Sequence, residues 1–170
     1  MKKLILVTLV ALLFAGVCRA QDTKMPYKAM YSSNFTMADP SYSEKVLTLW
    51  KDYENNTLDN HANLLADTVS ILLSNGTLVK GRAQNMTNVK EYRGSIKNLK
   101  ITIDAFMSLK SLDKDENVVC VWGNETFTDK DGKEYSQRVH EVWGFNSAGK
   151  VSMMLHTPEW VVCKESSTRK

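Results

Sequence analysis

The chain has 170 residues, enough for one domain with a substantial core, and 43% of them are hydrophobic. Its 22 basic and 19 acidic residues leave a formal charge of +3 and are interspersed, with no basic stripe, which argues against nucleic acid as a partner. No internal repeat or low-complexity stretch interrupts it.

The first twenty residues read as a targeting segment. Lys2-Lys3 form a basic start, Leu4 to Val17 an apolar run too short for comfortable spanning, and Cys18-Arg19-Ala20 a cleavage site with small residues at its determining positions. Cleavage before Gln21 makes residues 1–20 a signal peptide; the alternative is a lipoprotein anchored through Cys18, which the bulky Val17 disfavours. Either route exports the domain, to the periplasm or the medium, with no membrane span left after cleavage. Cys120 and Cys163 then remain. Cys163 lies about 30 Å of extended chain beyond Met154 at about 3.3 Å per residue. A disulfide needs Cα atoms roughly 4.4–6.8 Å apart, so both thiols are expected free unless the chain folds back after Pro158. The Asn-x-Thr sequons at Asn34, Asn55, Asn75, Asn85 and Asn124 are discounted, because the signal segment has a bacterial character and Asn124 is expected inside.

Residues 21–38 read as a polar leader, residues 39–162 as the domain and residues 163–170 as a flexible tail. Asp39-Pro40 starts a helix, with a side-chain acceptor at the cap and a ring that pre-sets φ at the first helical position. Val46, Leu47, Leu49, Trp50 and Tyr53 recur at helical spacing, and Asn55-Asn56 ends the run. Thr57 is expected to cap a second, shorter helix, with His61, Leu64 and Leu65 on its inner side. Thr68 to Leu73 reads as a strand closed by the turn Asn75-Gly76, and Leu78 to Gly81 as a short strand. Arg82 to Arg93 is the third helix, with Ala83, Met86, Val89 and Arg93 near one face and Gly94 at its end.

From Leu99 to Leu109 apolar and polar residues alternate, which makes the odd residues the buried face of a strand. A turn near Lys114-Asp115 then places Met107 beside Trp122. Val118–Thr128, Glu134–Phe145 and Lys150–His156 follow as strands joined by Lys130-Asp131-Gly132 and Ser147-Ala148-Gly149, three-residue loops ending in the residue that most cheaply adopts a left-handed conformation. Equal loops predict equal registers: Trp122 opposite His140, and His140 opposite His156. Opposed side chains approach to about 5 Å, so an indole and two imidazoles form one row on one face. Cys120, Val142 and Met154 make the next row, and Asn124 and Arg138 the one beyond. The other face carries Val121, Val139, Glu141, Trp143, Phe145, Met153 and Leu155, expected to point outward.

Helices first, then a meander of antiparallel strands, give an α+β class. The chain resembles the nuclear transport factor 2-like superfamily, in its SnoaL-like branch. The residues that carry the likeness are Leu49-Trp50-Lys51-Asp52-Tyr53, Leu65-Ala66-Asp67-Thr68-Val69, Leu78-Val79-Lys80-Gly81-Arg82, Glu116 to Trp122 and Gly149-Lys150-Val151. The resemblance implies a cone-shaped half-barrel, a curved, mostly antiparallel sheet with three N-terminal helices over its concave face. It also implies a pocket, here expected to be lined by Trp50, Tyr53, Val69, Ile71, Met107, Cys120, Trp122, Asn124, Arg138, Val142 and Met154. A homodimer through the outer sheet face is implied as well, with Val121, Trp143, Phe145, Met153 and Leu155 in it, too apolar to face water comfortably.

Relatives of this kind include ketosteroid isomerases, polyketide cyclases, epoxide hydrolases and dehydratases, beside members that only bind, so fold alone leaves the chemistry open. His156 matches the last-strand position where the epoxide hydrolases place a catalytic Asp, and Trp122 and Asn124 match their Arg and second Asp. The water-activating carboxylates are therefore missing. A histidine pair resembles the dehydratase arrangement, and His140 with His156 could hold one proton between them for acid and base work, with Asn124 or Tyr53 polarising a carbonyl oxygen. No ligand pair has the short spacing of a dedicated metal site, and no cofactor is expected. Three readings follow: a binder of a small hydrophobic molecule, a lyase or isomerase using His140 and His156, and a structural or partner-binding dimer.

Overall fold

A computed structural model describes residues 25–161, with side chains through Thr157. The chain divides into two units, Met1–Tyr31 and Ser32–Lys170. Residues 25–31 of the first are exposed and form neither helix nor strand. The second holds β1 (Phe35–Met37), α1 (Ser41–Asn55), a single 3-10 turn (Ala62–Leu64), β2 (Leu65–Leu72), β3 (Leu78–Lys80), α2 (Arg82–Gly94), β4 (Lys97–Ser111), β5 (Glu116–Thr128), β6 (Glu134–Phe145) and β7 (Val151–Val161). The seven strands form one sheet in the order β1-β4-β5-β6-β7-β2-β3, antiparallel except where β2 runs alongside β7. The α+β class and the curved, mostly antiparallel sheet stand as expected; the helix count does not.

Helix α1 starts as its sequence demands: Asp39 Oδ1 accepts the Ser41 N–H at 2.8 Å. The Ser43 N–H, another first-turn donor, is satisfied by Ser108 Oγ of β4 at 3.1 Å, which pins the helix to the sheet. Asn56 ends the helix in the left-handed conformation with φ 59°. Arg93 of α2 then donates to two of its last carbonyls, from Nε to Tyr53 O at 2.7 Å and from Nη2 to Glu54 O at 2.9 Å.

The predicted second helix is absent, and Asp52 is the reason. Its carboxylate takes the Thr57 hydroxyl at 3.1 Å and meets His61 Nδ1 at 2.7 Å, so Thr57 donates back into α1 and leaves no cap for a new helix. Leu65 goes into β2. The end of the expected leader is also part of the sheet, because Phe35–Met37 pairs with Leu109–Ser111. In α2 the buried residue is Asn85, whose amide reaches the carbonyls of Val69, Val79 and Gly81.

Below α1 lies the core. Val46, Leu49 and Trp50 of the helix pack on Val69 of β2, Val119 and Val121 of β5, Val139, Trp143 and Phe145 of β6 and Val151 of β7. Each such side chain contributes about 1.5–3 kcal/mol by leaving water. In β5 and β6 the two faces are thus exchanged relative to the sequence reading. Val121, Trp143 and Phe145, expected on an outer surface, are 0%, 7% and 4% exposed beneath the helix. The outer face carries Met107, Cys120, Trp122 and Val142 in their place, beside Met153 and Leu155, which lie outward as expected.

Bulges decide the rest. The β5–β6 register is as predicted, with Trp122 opposite His140. Between β4 and β5 the loop of residues 112–115 puts Ser111 opposite Glu116 and hence Ala105, not Met107, opposite Trp122, and the pairing shifts beyond it at Asp104. That shift swaps which parity of β4 faces α1, so Leu99 and Ser108 are both buried. Between β6 and β7 the pairing slips by one residue at Ser152: Phe145 opposes Val151, Gly144 opposes Met153, and Glu141 opposes His156.

Candidate functional site

The slip at Ser152 brings His156 to the concave side, where Glu141 is the hub. Glu141 is buried, and each of its oxygens is used. Oε2 accepts the indole N–H of Trp50 at 2.6 Å and that of Trp143 at 2.9 Å. Oε1 meets His156 Nδ1 at 2.8 Å. Three elements therefore meet on one carboxylate: α1 through Trp50, β6 through Glu141 and Trp143, and β7 through His156. The Trp50 ring reaches this position because Gly123 gives way: a Cβ there would lie 2.6 Å from Thr102 O and 2.9 Å from Trp50 Cζ3.

One residue pair along the same face, Glu125 of β5 accepts the Gln137 amide at 2.9 Å. Burial raises the Glu125 pKa and the charge of Glu141 adds to it, against the opposing pull of Gln137 and His156. For His156 burial works against the imidazolium, but the hydrogen bond and charge of Glu141 and the charge of Glu125 outweigh it, and the pKa lies above the ordinary imidazole value. Tyr53 of α1 is held far above the usual phenol range by burial and by Glu125, so its hydroxyl stays protonated. Tyr92 of α2 is raised for the same reasons. The His156 side chain is 22% exposed against 9% for Glu141, so the imidazole is the accessible end of the pair.

Chemically this is an oriented imidazole beside a carboxylate, with a second carboxyl and a phenol near it. With Nδ1 tied to Glu141, Nε2 is the nitrogen left to exchange a proton or accept a hydrogen bond. Among the described residues no three His, Cys, Asp or Glu side chains gather as metal ligands. Two surface grooves lie elsewhere. One of about 410 Å³ runs between α1 and Phe106, and one of about 400 Å³ lies between residues 56–60 and Lys90.

The expected histidine row is half right. Trp122 and His140 do stack, with centroids 4.7 Å apart and planes 5° apart, but on the outer face. His140 Nε2 is buried with no hydrogen-bond partner, which unsuits it to act on a ligand. His156 is on the opposite side of the sheet, so the two imidazoles do not form one site. Of the expected pocket residues, Trp50, Tyr53, Val69, Ile71 and Met154 pack on the α1 side. Met107, Cys120, Trp122, Asn124, Arg138 and Val142 are on the outer side, where Cys120 is a free thiol and Arg138 lies 3.6 Å from Asp104. Cys163 lies outside the described residues. Glu125, Gln137 and Tyr92 were not expected in the site, and Glu141 was expected to point outward. Their signal was present: Glu141 sits between Val139 and Trp143 at i±2, a charge on the more apolar parity of its strand.

No protein-family model matches this sequence, and no curated protein does. Solved structures do match. An NTF2-like protein of unknown function from Exiguobacterium sp. 255-15 is 15% identical, with a TM-score of 0.56 over 68% of this chain and 98% of its own. The fold is NTF2-like. An LEH-like epoxide hydrolase of M. tuberculosis is 11% identical, with a TM-score of 0.57 over 69% of this chain and 82% of its own. SalBIII, an epoxide hydrolase/cyclase-like enzyme of pyran ring formation in salinomycin, is 14% identical, with a TM-score of 0.58 over 70% of this chain and 91% of its own. In this NTF2-like fold the helix-covered face of the sheet carries one acidic and imidazole cluster, while the outer face carries an apolar one.

Proposed function

We propose that this chain is an exported domain that binds a small, mainly apolar molecule against the helix-covered face of its sheet, with the ligand's one polar group held at His156, Glu141 and Glu125. The observation that carries the reading is the His156–Glu141 pair at 2.8 Å, a half-open imidazole backed by a buried carboxylate on an otherwise hydrophobic face. Polar groups so few and so placed fix orientation, while the apolar surroundings supply affinity. The test is native mass spectrometry of the exported form. A retained small molecule that is lost in His156→Ala and in Glu125→Gln, with both variants folded, supports the reading. An empty protein, or retention in both variants, overturns it.

A second reading is a lyase or isomerase of the dehydratase or ketosteroid-isomerase type, working without metal. It is favoured by the free Nε2 of His156 as base and by the protonated Tyr53 as donor to a developing oxyanion. The names of the solved structures, a cyclase-like enzyme and an epoxide hydrolase, point the same way. His140, on the outer face with its Nε2 buried, has no part in it. Turnover lost in His156→Ala while binding of a ligand analogue persists in His156→Gln would separate catalysis from binding.

A homodimer remains part of the proposal, through the outer face as the structure defines it: Met107, Cys120, Trp122, Val142, Met153 and Leu155. Light scattering should give twice the chain mass for the native protein and the single mass for Trp122→Lys. A monomeric native protein removes this element. Removal of residues 1–20 on export is checked by N-terminal sequencing, which should begin at Gln21.

A further inference from the structure

We infer that Trp50 and Trp143 are positioning residues: their indole N–H groups, converging on one oxygen of Glu141, turn its other oxygen to His156 and thereby select which imidazole nitrogen is presented to the ligand. The inference rests on His156 being the group that meets the ligand, and it adds the device that sets the ring's tautomer. Trp143 donates from two residues along the same strand and Trp50 from α1, so Glu141 is oriented by β6 and the helix before β7 contributes anything. An indole N–H donates and cannot accept. Two such donors fill Oε2 and leave Oε1 as the oxygen that faces His156 Nδ1 at 2.8 Å. The imidazole must then carry its proton on Nδ1 toward Glu141, leaving Nε2 as the outward nitrogen.

The orientation is held from behind. Trp50 is 6% exposed, and its six-membered ring sits where Gly123 leaves room for it. Trp143 is 7% exposed in the same core. Neither indole can swing away without opening the packing between α1 and the sheet. The other charged group acting on His156, Glu125 of β5, donates and accepts nothing at its Nδ1.

Nitrogen-edited NMR of His156 tests this in Trp50→Phe, Trp143→Phe and the double variant, which keep an aromatic ring and lose only the N–H donors. The expected result is an Nδ1-protonated His156 in the native chain and folded variants in which that form is lost and the pKa falls toward the ordinary imidazole value, most fully in the double variant. An unchanged tautomer and midpoint would overturn the inference. So would a rise, which would mean that the indoles only draw charge from Glu141. Should the variants not fold, the native protein decides: both indole N–H resonances must shift with pH at the midpoint of His156, and constant resonances overturn the inference. Ligand retention is scored separately, so a chain that holds no small molecule but shows these shifts loses the binding proposal and keeps the positioning one.

Discussion

The two β-hairpins of this sheet have the same loop and different registers. In both, a side-chain oxygen at the first position, Asp129 or Asn146, accepts the N–H groups two and four residues on at 2.9–3.1 Å. In both, the closing glycine is left-handed, with φ 82° at Gly132 and 68° at Gly149. The first hairpin then pairs from Thr128–Glu134 to Val118–Gly144 without a break. The second slips at its second step, where Ser152 has no partner and Gly144 opposes Met153. A loop sets register only as far as the first bulge. One extra residue sends every later side chain to the other face, which is why His140 is outside and His156 inside.

The sharpest way to break the comparison is to remove the imidazole from each face in turn. His156→Ala leaves both registers as they are and takes the partner from Glu141, whereas His140→Ala removes a ring whose Nε2 has no hydrogen-bond partner. A buried pair broken from one side costs roughly 3–5 kcal/mol, so urea denaturation should show a loss approaching that size in His156→Ala and a smaller one in His140→Ala. Equal losses would mean that the slip at Ser152 does not set the two histidines apart.

Glu141→Gln keeps the shape and register of the second hairpin and removes only the charge at its centre. Hydrogen bonds to a charged group are worth about 1.5–3 kcal/mol, and a loss in that range is expected by the same measurement. The variant also reads the pH dependence. The folded-state pKa of His156 is raised above 6.5, so its contribution is complete below that pH and is lost as pH rises through the folded value. Glu125, raised above 4.5, acts in the same sense, being most favourable below 4.5 and costly once ionised in its buried place. Native stability should therefore fall as pH rises past 6.5, and the fall should shrink in Glu141→Gln. A slope of opposite sign at His156, followed by NMR, would refute the assigned pairing.

The smallest expected effect sharpens the likeness of the loops. Gly132→Ala and Gly149→Ala each force a side chain into the left-handed region, at about 1–2 kcal/mol. Equal losses in thermal denaturation would confirm that the loops are equivalent and that the register difference arises beyond them. A loss confined to Gly149→Ala would place the slip in the turn itself.

Much of the fold was legible. The start of α1 at Asp39-Pro40, the end of α2 at Gly94, both glycine loops and the Trp122–His140 pairing follow from local rules in which neighbours in sequence are neighbours in space. The missing second helix was not, because Asp52 and His61 each obey a local preference and only their meeting at 2.7 Å converts Thr57 from a cap into a staple. The site was read on the wrong face for a related reason. Both parities of β5 and β6 are apolar, and the charged Glu125 and Glu141 made the truly buried parity resemble the solvated one. A carboxylate is expected in water unless donors await it. Those donors come from Trp50, Trp143 and Gln137, and Trp50 lies 91 residues from Glu141.

By itself, the sequence determined the α+β class, the helix starts, the turns and the pairing within the first hairpin, since each depends on residues a few positions apart. Tertiary structure alone decided which face of the sheet is inside and which histidine meets a carboxylate. Those choices turn on two bulges and on where α1 lands, and a one-residue slip is invisible to period-two alternation when both faces are hydrophobic.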